Sequence, residues 1–227
     1  MELFMVIGLG RFGRRLARAL TEAGHEVIAV DTREELVERV RDEVALAVCL
    51  DATDPESLRR QGVEKVDTAI VAIGEDFEAN ALATATLKAG GVKQVISRAS
   101  TDMQRRILDR IGADRVIFPE EEMAVRLANQ LANPNIVDQL ELSEGHSLVQ
   151  IRAPVAWHDR TLGEIDLRKK YEVNLVAINR PVKSQGKGGE EIVEQQVLDL
   201  PMPHTKIREG DVLVLVGTTE SLSALPT

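Results

Sequence analysis

The chain has 227 residues, of which 44% are hydrophobic, 29% are charged and only 3% are aromatic, so its core must be built from aliphatic side chains. This length suits one ordinary domain followed by a smaller one, and the aliphatic bias favours an α/β architecture with buried parallel strands. The formal net charge of -9 argues against a nucleic-acid binder, and the single cysteine, Cys49, excludes a disulfide within the chain.

No apolar stretch approaches the length that spans a bilayer, and the first residues lack the basic start and cleavage site of a secretory signal. We therefore expect a cytoplasmic protein that acts at a membrane only through a partner. Cys49 lies in the apolar run 44–50 and is predicted to be a small core residue.

The first half of the chain alternates short apolar runs with helical patterns. Strands are predicted at 3–7, 26–30, 45–50, 68–73, 94–97 and 115–118. Helices are predicted at 11–23, 33–40, 55–61, 77–89, 102–111 and 120–132. Such alternation implies a parallel sheet with helices on both faces, because each crossover must be long and right-handed. The sequence therefore predicts a Rossmann-like, doubly wound domain over residues 1–132.

The alternation stops at the segment 133–135, whose sequence is Asn-Pro-Asn. A linker is predicted over 133–142, in which 136–142 serve as a connector. The remainder, 143–227, is predicted to be a small α+β domain. Its predicted elements are strands at 148–153, 173–179 and 211–216, a short helix at 161–167 and a flexible loop at 184–189.

A glycine-rich turn joins the first predicted strand to the first predicted helix. Gly8 permits a tight turn, Gly10 lets the backbone approach a pyrophosphate, and Gly13 allows close packing of helix on strand. Asp31 ends the second strand, where an acid can accept hydrogen bonds from both hydroxyls of a ribose. A carboxylate there repels a 2′-phosphate, so the sequence favours NAD, ATP or ADP over NADP.

Further candidate residues stand at the carboxyl ends of the other strands, where ligands bind in this fold. They are Asp51, Ala52 and Thr53 after strand three, Ile73, Gly74 and Asn80 around the end of strand four, Arg98 after strand five and Glu120 after strand six.

Several of these residues have an alternative role that the sequence leaves open. Asp51 either accepts from an adenine amino group or belongs to a helix-cap network around Asp54 and Pro55. Arg98 either binds phosphate or pairs with Glu120 or Glu121. Glu120 in turn either holds a cation that bridges to phosphate oxygens or is simply an acid favoured by the helix dipole.

Catalytic groups are not evident in the sequence. The four histidines have no recognisable catalytic spacing, and no paired acids, Ser-His-Asp order or metal motif is found. A nucleotide site without evident chemistry indicates a sensor rather than an oxidoreductase. The alternatives that remain are an NAD-dependent oxidoreductase and a stand-alone NAD(H) redox sensor.

Four segments resemble the cytosolic regulatory subunits of Ktr/Trk potassium-uptake systems. They are residues 6–13 (VIGLGRFG), 24–31 (GHEVIAVD), 70–74 (IVAIG) and 111–120 (IGADRVIFPE). The resemblance implies an RCK (KTN) domain that dimerises and assembles into a ring, often an octamer, beneath a membrane-embedded potassium-translocating subunit. It also implies binding of ATP and ADP, with ATP favouring the active state, or of NAD(H) in the Trk-like branch.

The resemblance also assigns site residues. The family's phosphate turn falls on Gly8, Gly10, Arg11, Phe12 and Gly13. Its ribose acid falls on Asp31, and its adenine-side segment falls on Asp51, Ala52 and Thr53. Its basic residue falls on Arg98, and its acid linked to nucleotide and cation (Mg or Na) binding falls on Glu120. Arg11 is expected to reach the terminal phosphate of a nucleotide in a neighbouring subunit and so bias the ring between two states. The alternative for Arg11 is a solvated surface arginine.

The C-terminal part resembles the TrkA-C (RCK-C) domain, which in some relatives binds cyclic di-AMP at a dimer interface. The residues that fit the spacing of that pattern are Leu162, Asp166, Arg168 and Asn174. Gly163 stands where the pattern has a second aliphatic residue, which is a departure from the family. The alternative is that Leu162 is a core residue and Arg168 a solvated helix end.

Overall fold

The structure is a computed structural model that describes residues 1–133, 135–185 and 191–226. The chain divides into two compact units, residues 1–121 and 122–227. Within the described residues, no helix combines the length and apolar character that crossing a bilayer requires. The predicted flexible loop lies, from residue 186 onward, outside the described residues.

The first unit contains a six-stranded parallel sheet in the order β3-β2-β1-β4-β5-β6. Its strands are β1 (Leu3–Ile7), β2 (Glu26–Asp31), β3 (Leu46–Cys49), β4 (Thr68–Val71), β5 (Gln94–Arg98) and β6 (Arg115–Ile117). The strand order reverses between β1 and β4, and in open α/β sheets this switch point is where ligands bind. The predicted Rossmann-like class is confirmed.

Helices connect the strands of this sheet, and a further helix follows its last strand. The connecting helices are α1 (Arg11–Glu22), α2 (Glu34–Glu38), α3 (Pro55–Arg60), α4 (Phe77–Ala89) and α5 (Asp102–Arg110), and the helix after β6 is α6 (Pro119–Ala132). The start of α3 shows why the sequence signal was reliable. The Asp54 side chain accepts from the backbone N–H groups of Glu56 and Ser57, and Pro55 occupies the first helical position, where no N–H is needed.

Both faces of the sheet are covered. Met5 and Ile7 of β1 pack into one apolar cluster, whereas Val6, between them in sequence, packs into another on the opposite face. This alternation is expected of a strand buried on both sides, and it explains why β1 reads as a continuous apolar run. The prediction for Cys49 was wrong: its side chain is exposed, because β3 lies at the edge of the sheet.

The second unit is built on an antiparallel sheet in the order β10-β9-β11-β8-β7. Its strands are β7 (Ile136–Ser143), β8 (His146–Arg152), β9 (Asn174–Gln185), β10 (Glu191–Leu198) and β11 (Val212–Thr218), and its helices are α7 (Leu162–Ile165), α8 (Leu167–Tyr171) and α9 (Thr219–Ser223). The core of this unit contains Trp157, Ile178, Leu213 and Leu215, all almost completely buried.

Three local predictions in this unit were wrong, and some of its elements were not predicted. The segment 136–142, predicted as a connector, forms β7, and Ser184 and Gln185, predicted as loop, belong to β9. Strand β10 and helix α9 were not predicted. The predicted helix 161–167 is two helices, because Asp166 adopts a left-handed backbone conformation (φ 54) that ends α7.

Candidate functional site

An open cleft of about 740 Å³ lies at the carboxyl ends of the first unit's strands. It collects residues that are far apart in sequence, as parallel strands with helical crossovers require. The predicted site residues that line it are Gly8, Gly10, Arg11, Phe12, Asp31, Asp51, Ala52, Thr53, Ile73, Gly74, Arg98 and Glu120. Two further predicted residues, Gly13 and Asn80, do not line the cleft but support its walls.

The glycine turn is shaped by close backbone contacts. Gly8 has a φ of +92, and a Cβ added to it would lie 3.0 Å from the backbone nitrogen of Ile73. A Cβ added to Gly13 would lie only 1.8 Å from the carbonyl oxygen of Gly8, so α1 can start at this place only with glycine. Among the described residues no side chain caps α1, which leaves its first N–H groups facing the cleft.

Asp31 supports the glycine turn directly. Its carboxylate, 9% exposed, accepts from the N–H of Leu9 at 2.7 Å through Oδ2 and from the N–H of Arg33 at 2.9 Å through Oδ1. Each carboxylate oxygen has a second acceptor direction, so these bonds are compatible with binding a ribose as well. The support of the glycine turn by Asp31 could not be predicted from the sequence, because it depends on β1 and β2 being neighbours in the sheet.

Asp51 does not itself cap α3, although its carbonyl oxygen accepts from the N–H of the cap residue Asp54 at 3.2 Å. Its Oδ1 accepts from the backbone N–H of Thr53 at 2.9 Å and from the Thr53 hydroxyl at 2.8 Å. Asp54 caps the helix instead. Asp51 and Thr53 therefore form a small polar pair on the cleft wall beyond β3.

Asn80 joins two of the walls from behind. Its side chain is 1% exposed, and its amide Nδ2 donates to the carbonyl oxygens of Ile73 at 2.7 Å and Arg98 at 3.1 Å. These carbonyls follow β4 and end β5. Asn80 thus holds the backbone around Gly74 and Arg98, and any effect on a ligand would pass through them.

Arg98 makes one of the two ion pairs that the sequence allowed, and phosphate binding by it stays a prediction. It lies in the cleft, and its Nη2 donates to Oε1 of Glu120 in an ion pair. The guanidinium carbon lies 6.0 Å from the centroid of the Phe12 ring, and Nη1 fills the space above Gly74, where an added Cβ would come within 2.6 Å. Its Nε is buried and has no hydrogen-bond partner among the described residues.

The cleft is acidic on balance. Its lining has five carboxylates, on Asp31, Asp51, Glu75, Asp76 and Glu120, and three guanidinium groups, on Arg11, Arg33 and Arg98. Arg11 is exposed and makes no ion pair with any described carboxylate. No group of three or more metal-ligating side chains occurs in the described part of the chain, so a cation at Glu120 would need most of its ligands from the bound molecule or water.

The predicted second site lies partly in a cleft of about 350 Å³ in the C-terminal unit. Leu162, Asp166 and Arg168 line it, together with Pro203, whereas Asn174 is not among its lining residues. Gly163 has a steric reason to depart from the aliphatic pattern. A Cβ there would lie 3.2 Å from the carbonyl oxygen of Pro203, to which the Gly163 N–H donates at 2.8 Å.

A doubly wound sheet in this order, with a glycine turn and a cleft at its switch point, defines a Rossmann-type protein. The family model of the TrkA-N domain matches residues 4–119, and that of the TrkA-C domain matches residues 147–225. The chain belongs to the TrkA family, which confirms the resemblance to Ktr and Trk potassium-uptake proteins.

Known proteins resemble the chain over almost its full length. "Ktr system potassium uptake protein C" of Bacillus subtilis (strain 168) is 39% identical over 220 residues, which are 97% of this chain and 94% of that protein. The RCK domain of GsuK is 27% identical with a TM-score of 0.53, over 98% of this chain and 45% of that one. The GsuK channel bound to NAD is also 27% identical, with a TM-score of 0.52 over 98% of this chain and 37% of that one. The chain thus spans less than half of these solved chains.

Proposed function

We propose that this chain is a nucleotide-sensing regulatory subunit of a Ktr/Trk-type potassium-uptake system. It would act in the cytoplasm, on the inner face of the membrane, by contact with a membrane-embedded potassium-translocating subunit. The observation that carries the proposal is the near full-length similarity to a Ktr potassium uptake protein, which includes both domains.

The cleft of the first unit is the proposed receptor site for an adenine nucleotide, ATP/ADP or NAD(H). The glycine turn and the uncapped start of α1 suit phosphates, and the Asp31 carboxylate suits an unphosphorylated ribose. The solved GsuK channel bound to NAD, which has a related fold, supports nucleotide binding by this domain. The polar pair of Asp51 and Thr53 is proposed to face the adenine side.

A binding role fits the chemistry of the cleft better than catalysis does. Its described lining contains no histidine, lysine, cysteine, serine or tyrosine. A nicotinamide-dependent dehydrogenase needs a general acid or base at the substrate, and in the described lining only carboxylates could take that part. Sustained NADH oxidation with any substrate would favour the oxidoreductase alternative instead.

We further propose that the chain forms a homodimer and that these dimers assemble into a ring of eight subunits, the octamer that the family resemblance implies. Helix α6 carries Met123, Leu127 and Leu131, spaced four residues apart and 59%, 50% and 72% exposed. An apolar stripe of this kind on a helix is typical of a subunit interface. Arg11, exposed and without an ion pair among the described residues, is free to reach a neighbouring subunit's nucleotide.

The C-terminal cleft is proposed to bind cyclic di-AMP through Leu162, Asp166 and Arg168, with Asn174 contributing from beside it. Gly163 gives this chain less apolar contact than the family pattern provides. Calorimetry with cyclic di-AMP at high protein concentration is expected to show binding heat. Absence of heat would remove this second ligand and leave the nucleotide site untouched.

The test of the main proposal is a thermal-shift panel on the full chain with ATP, ADP, NAD, NADH and NADP, with and without magnesium. We expect at least one ligand with an unphosphorylated ribose to raise the melting temperature, since binding stabilises the native state by mass action. NADP is the matched control because its 2′-phosphate meets Asp31. No shift with any of these ligands would overturn the proposed function.

A further inference from the structure

Arg98 is the cation that the cleft holds most firmly, and its charge is already neutralised. The guanidinium lies against the Phe12 ring and above Gly74, both at the phosphate end of the cleft. Its remaining side is paired with the Glu120 carboxylate. A ligand phosphate at the glycine turn therefore meets an arginine whose partner is another anion.

The two members of this ion pair differ in how they are held. The Arg98 side chain is 19% exposed and is fixed by its packing against the turn, whereas the Glu120 side chain is 65% exposed. Glu120 stands on the first turn of α6, directly after Pro119. If the pair separates, Glu120 can turn into water at little cost in solvation, while Arg98 stays in place.

The other two arginines of the cleft do not replace Arg98 as a cation for a bound phosphate. Arg33 lies 3.6 Å from the Asp31 carboxylate, and Arg11 points from an exposed position. Carboxylates outnumber guanidinium groups in the lining, so an incoming phosphate enters a region of negative charge. The phosphate gains the partly buried guanidinium of Arg98 only when the Glu120 carboxylate leaves it.

We propose that Glu120 is a built-in competitor of the ligand: a phosphate binds Arg98 by displacing the Glu120 carboxylate from it. Ligand binding to the native protein then exchanges one anion for another at Arg98. The affinity for the ligand is therefore lower than it would be if Arg98 were unpaired. This inference rests on the proposed function, since it concerns the regulation of the same site. As a competitor Glu120 lowers the affinity for the ligand, whereas an acid that holds a bridging cation would raise it.

The test compares Glu120→Gln with Glu121→Gln by calorimetry of ADP, and of NAD in parallel, in buffer containing EDTA. Both variants lose one negative charge on the same helix turn, but Glu121 is exposed and does not line the cleft. We expect Glu120→Gln to bind about three- to fivefold tighter than the native chain, the worth of an ion pair with one exposed partner. Glu121→Gln should stay within about twofold of it.

A second comparison isolates Arg98. In an Arg98→Gln chain, Glu120 has no arginine for which to compete with the ligand. Adding Glu120→Gln to that chain should therefore raise the affinity by no more than Glu121→Gln raises it in the native chain. Equal affinities of the two glutamine variants in EDTA would overturn the inference and leave the proposed function standing. Weaker binding by Glu120→Gln only when magnesium is present would assign Glu120 to a cation instead. If neither the native chain nor Glu120→Gln binds either ligand, both proposals fall.

Discussion

Two glycines of the phosphate turn differ in what each one avoids. At Gly13 the obstacle is internal, because an added Cβ would collide with the carbonyl oxygen of Gly8. At Gly10 no described atom lies within 4 Å of an added Cβ, so the space there is open to a ligand. Gly13 is therefore required by the fold itself, whereas Gly10 leaves room for the proposed ligand, although the sequence pattern treats the two alike.

This difference predicts separable effects of two alanine substitutions. Gly13→Ala should lower the free energy of unfolding by about 3 kcal/mol or more, because the clash is with backbone and not with a movable side chain. Gly10→Ala should change it by less than about 0.5 kcal/mol yet abolish the nucleotide-induced thermal shift, because its methyl group occupies the approach to the phosphates. Chemical denaturation and the thermal-shift panel measure the two effects. Equal loss of stability in both variants would contradict the distinction.

A buried ion pair stabilises the second unit, and it depends on two particular residues. Asp211 is fully buried, and its carboxylate accepts from Arg180 at 2.8 and 2.7 Å and from the N–H of Arg208 at 2.8 Å. The hydrogen bond to Asp211 raises the pKa of the Arg180 guanidinium. Neither residue was singled out from the sequence, because their contact joins β9 to the start of β11.

Asp211→Asn should destabilise the protein by about 3–5 kcal/mol, since it leaves the buried Arg180 charge uncompensated. Asp199→Asn is the matched control, because Asp199 is exposed and has no ion pair among the described residues. Urea denaturation of both variants gives the comparison. A loss below about 1 kcal/mol in Asp211→Asn would show that water reaches this pair.

At the scale of elements, the sequence predicted the first unit well and the second unit poorly. Strands buried on both faces, such as β1, carry an apolar signal that needs no tertiary information. Strand β7 lies at the edge of its sheet and pairs only with β8. Its Leu140 and Leu142 are exposed, so its sequence lacks the apolar pattern of a buried strand. Gly145, with a φ of +73 in the two-residue turn between these strands, was the signal that could have revealed the hairpin.

The cleft shows the same limit. Its strand-end residues could be predicted because the position of ligands in a doubly wound fold follows from topology. The roles of Asp31 and Asn80 as internal supports could not, because they depend on which strands are neighbours. The pairing of Arg98 with Glu120 was foreseen only as one of two alternatives.

The contacts of Asp114, which link the start of β6 to β5, should make the stability of the first unit depend on pH. Oδ2 of Asp114 accepts from the N–H of Val95 at 2.7 Å and pairs with Lys88 at 2.9 Å. The backbone hydrogen bond, followed by the one from Lys88, lowers the pKa of Asp114 below its ordinary value of 3.8. A depressed folded-state pKa means stability that is present above the unfolded pKa and is lost as the pH falls through the folded one.

Asp114→Asn should therefore be less stable than the native chain at about pH 6, with the difference shrinking as the pH falls below the ordinary carboxyl value. Denaturation followed from about pH 6 to about pH 2 measures this. Asp42→Asn is the control, because Asp42 is exposed and has no ion pair within the described residues. A difference that stays constant down to the lowest pH would contradict the assignment.

At the scale of the whole molecule, the proposed ligand and the buried ion pair belong to different units. The cleft lies within residues 1–121, and Asp211 lies within residues 122–227. The predicted domain limits at 132 and 143 stay a prediction, since α6 begins in one compact unit and ends in the other.

Hydrogen exchange resolved by segment should separate the two units. A bound adenine nucleotide should slow exchange mainly in β1, β2, β4 and β5, because it stabilises the unit that holds it. Asp211→Asn should speed exchange mainly in β8, β9 and β11. If each change altered both sets of strands equally, the two units would unfold as one cooperative body.

The position of Glu120 has a practical consequence for dividing this chain. The TrkA-N match ends at residue 119, one residue before Glu120. A protein shortened to that limit would keep the glycine turn, Asp31 and Arg98 but would lose the carboxylate paired with Arg98. Its measured affinity would then describe an artificial sensor, set to respond at lower nucleotide concentrations than the intact chain. A shortened protein that retains all of α6 would keep the native set point.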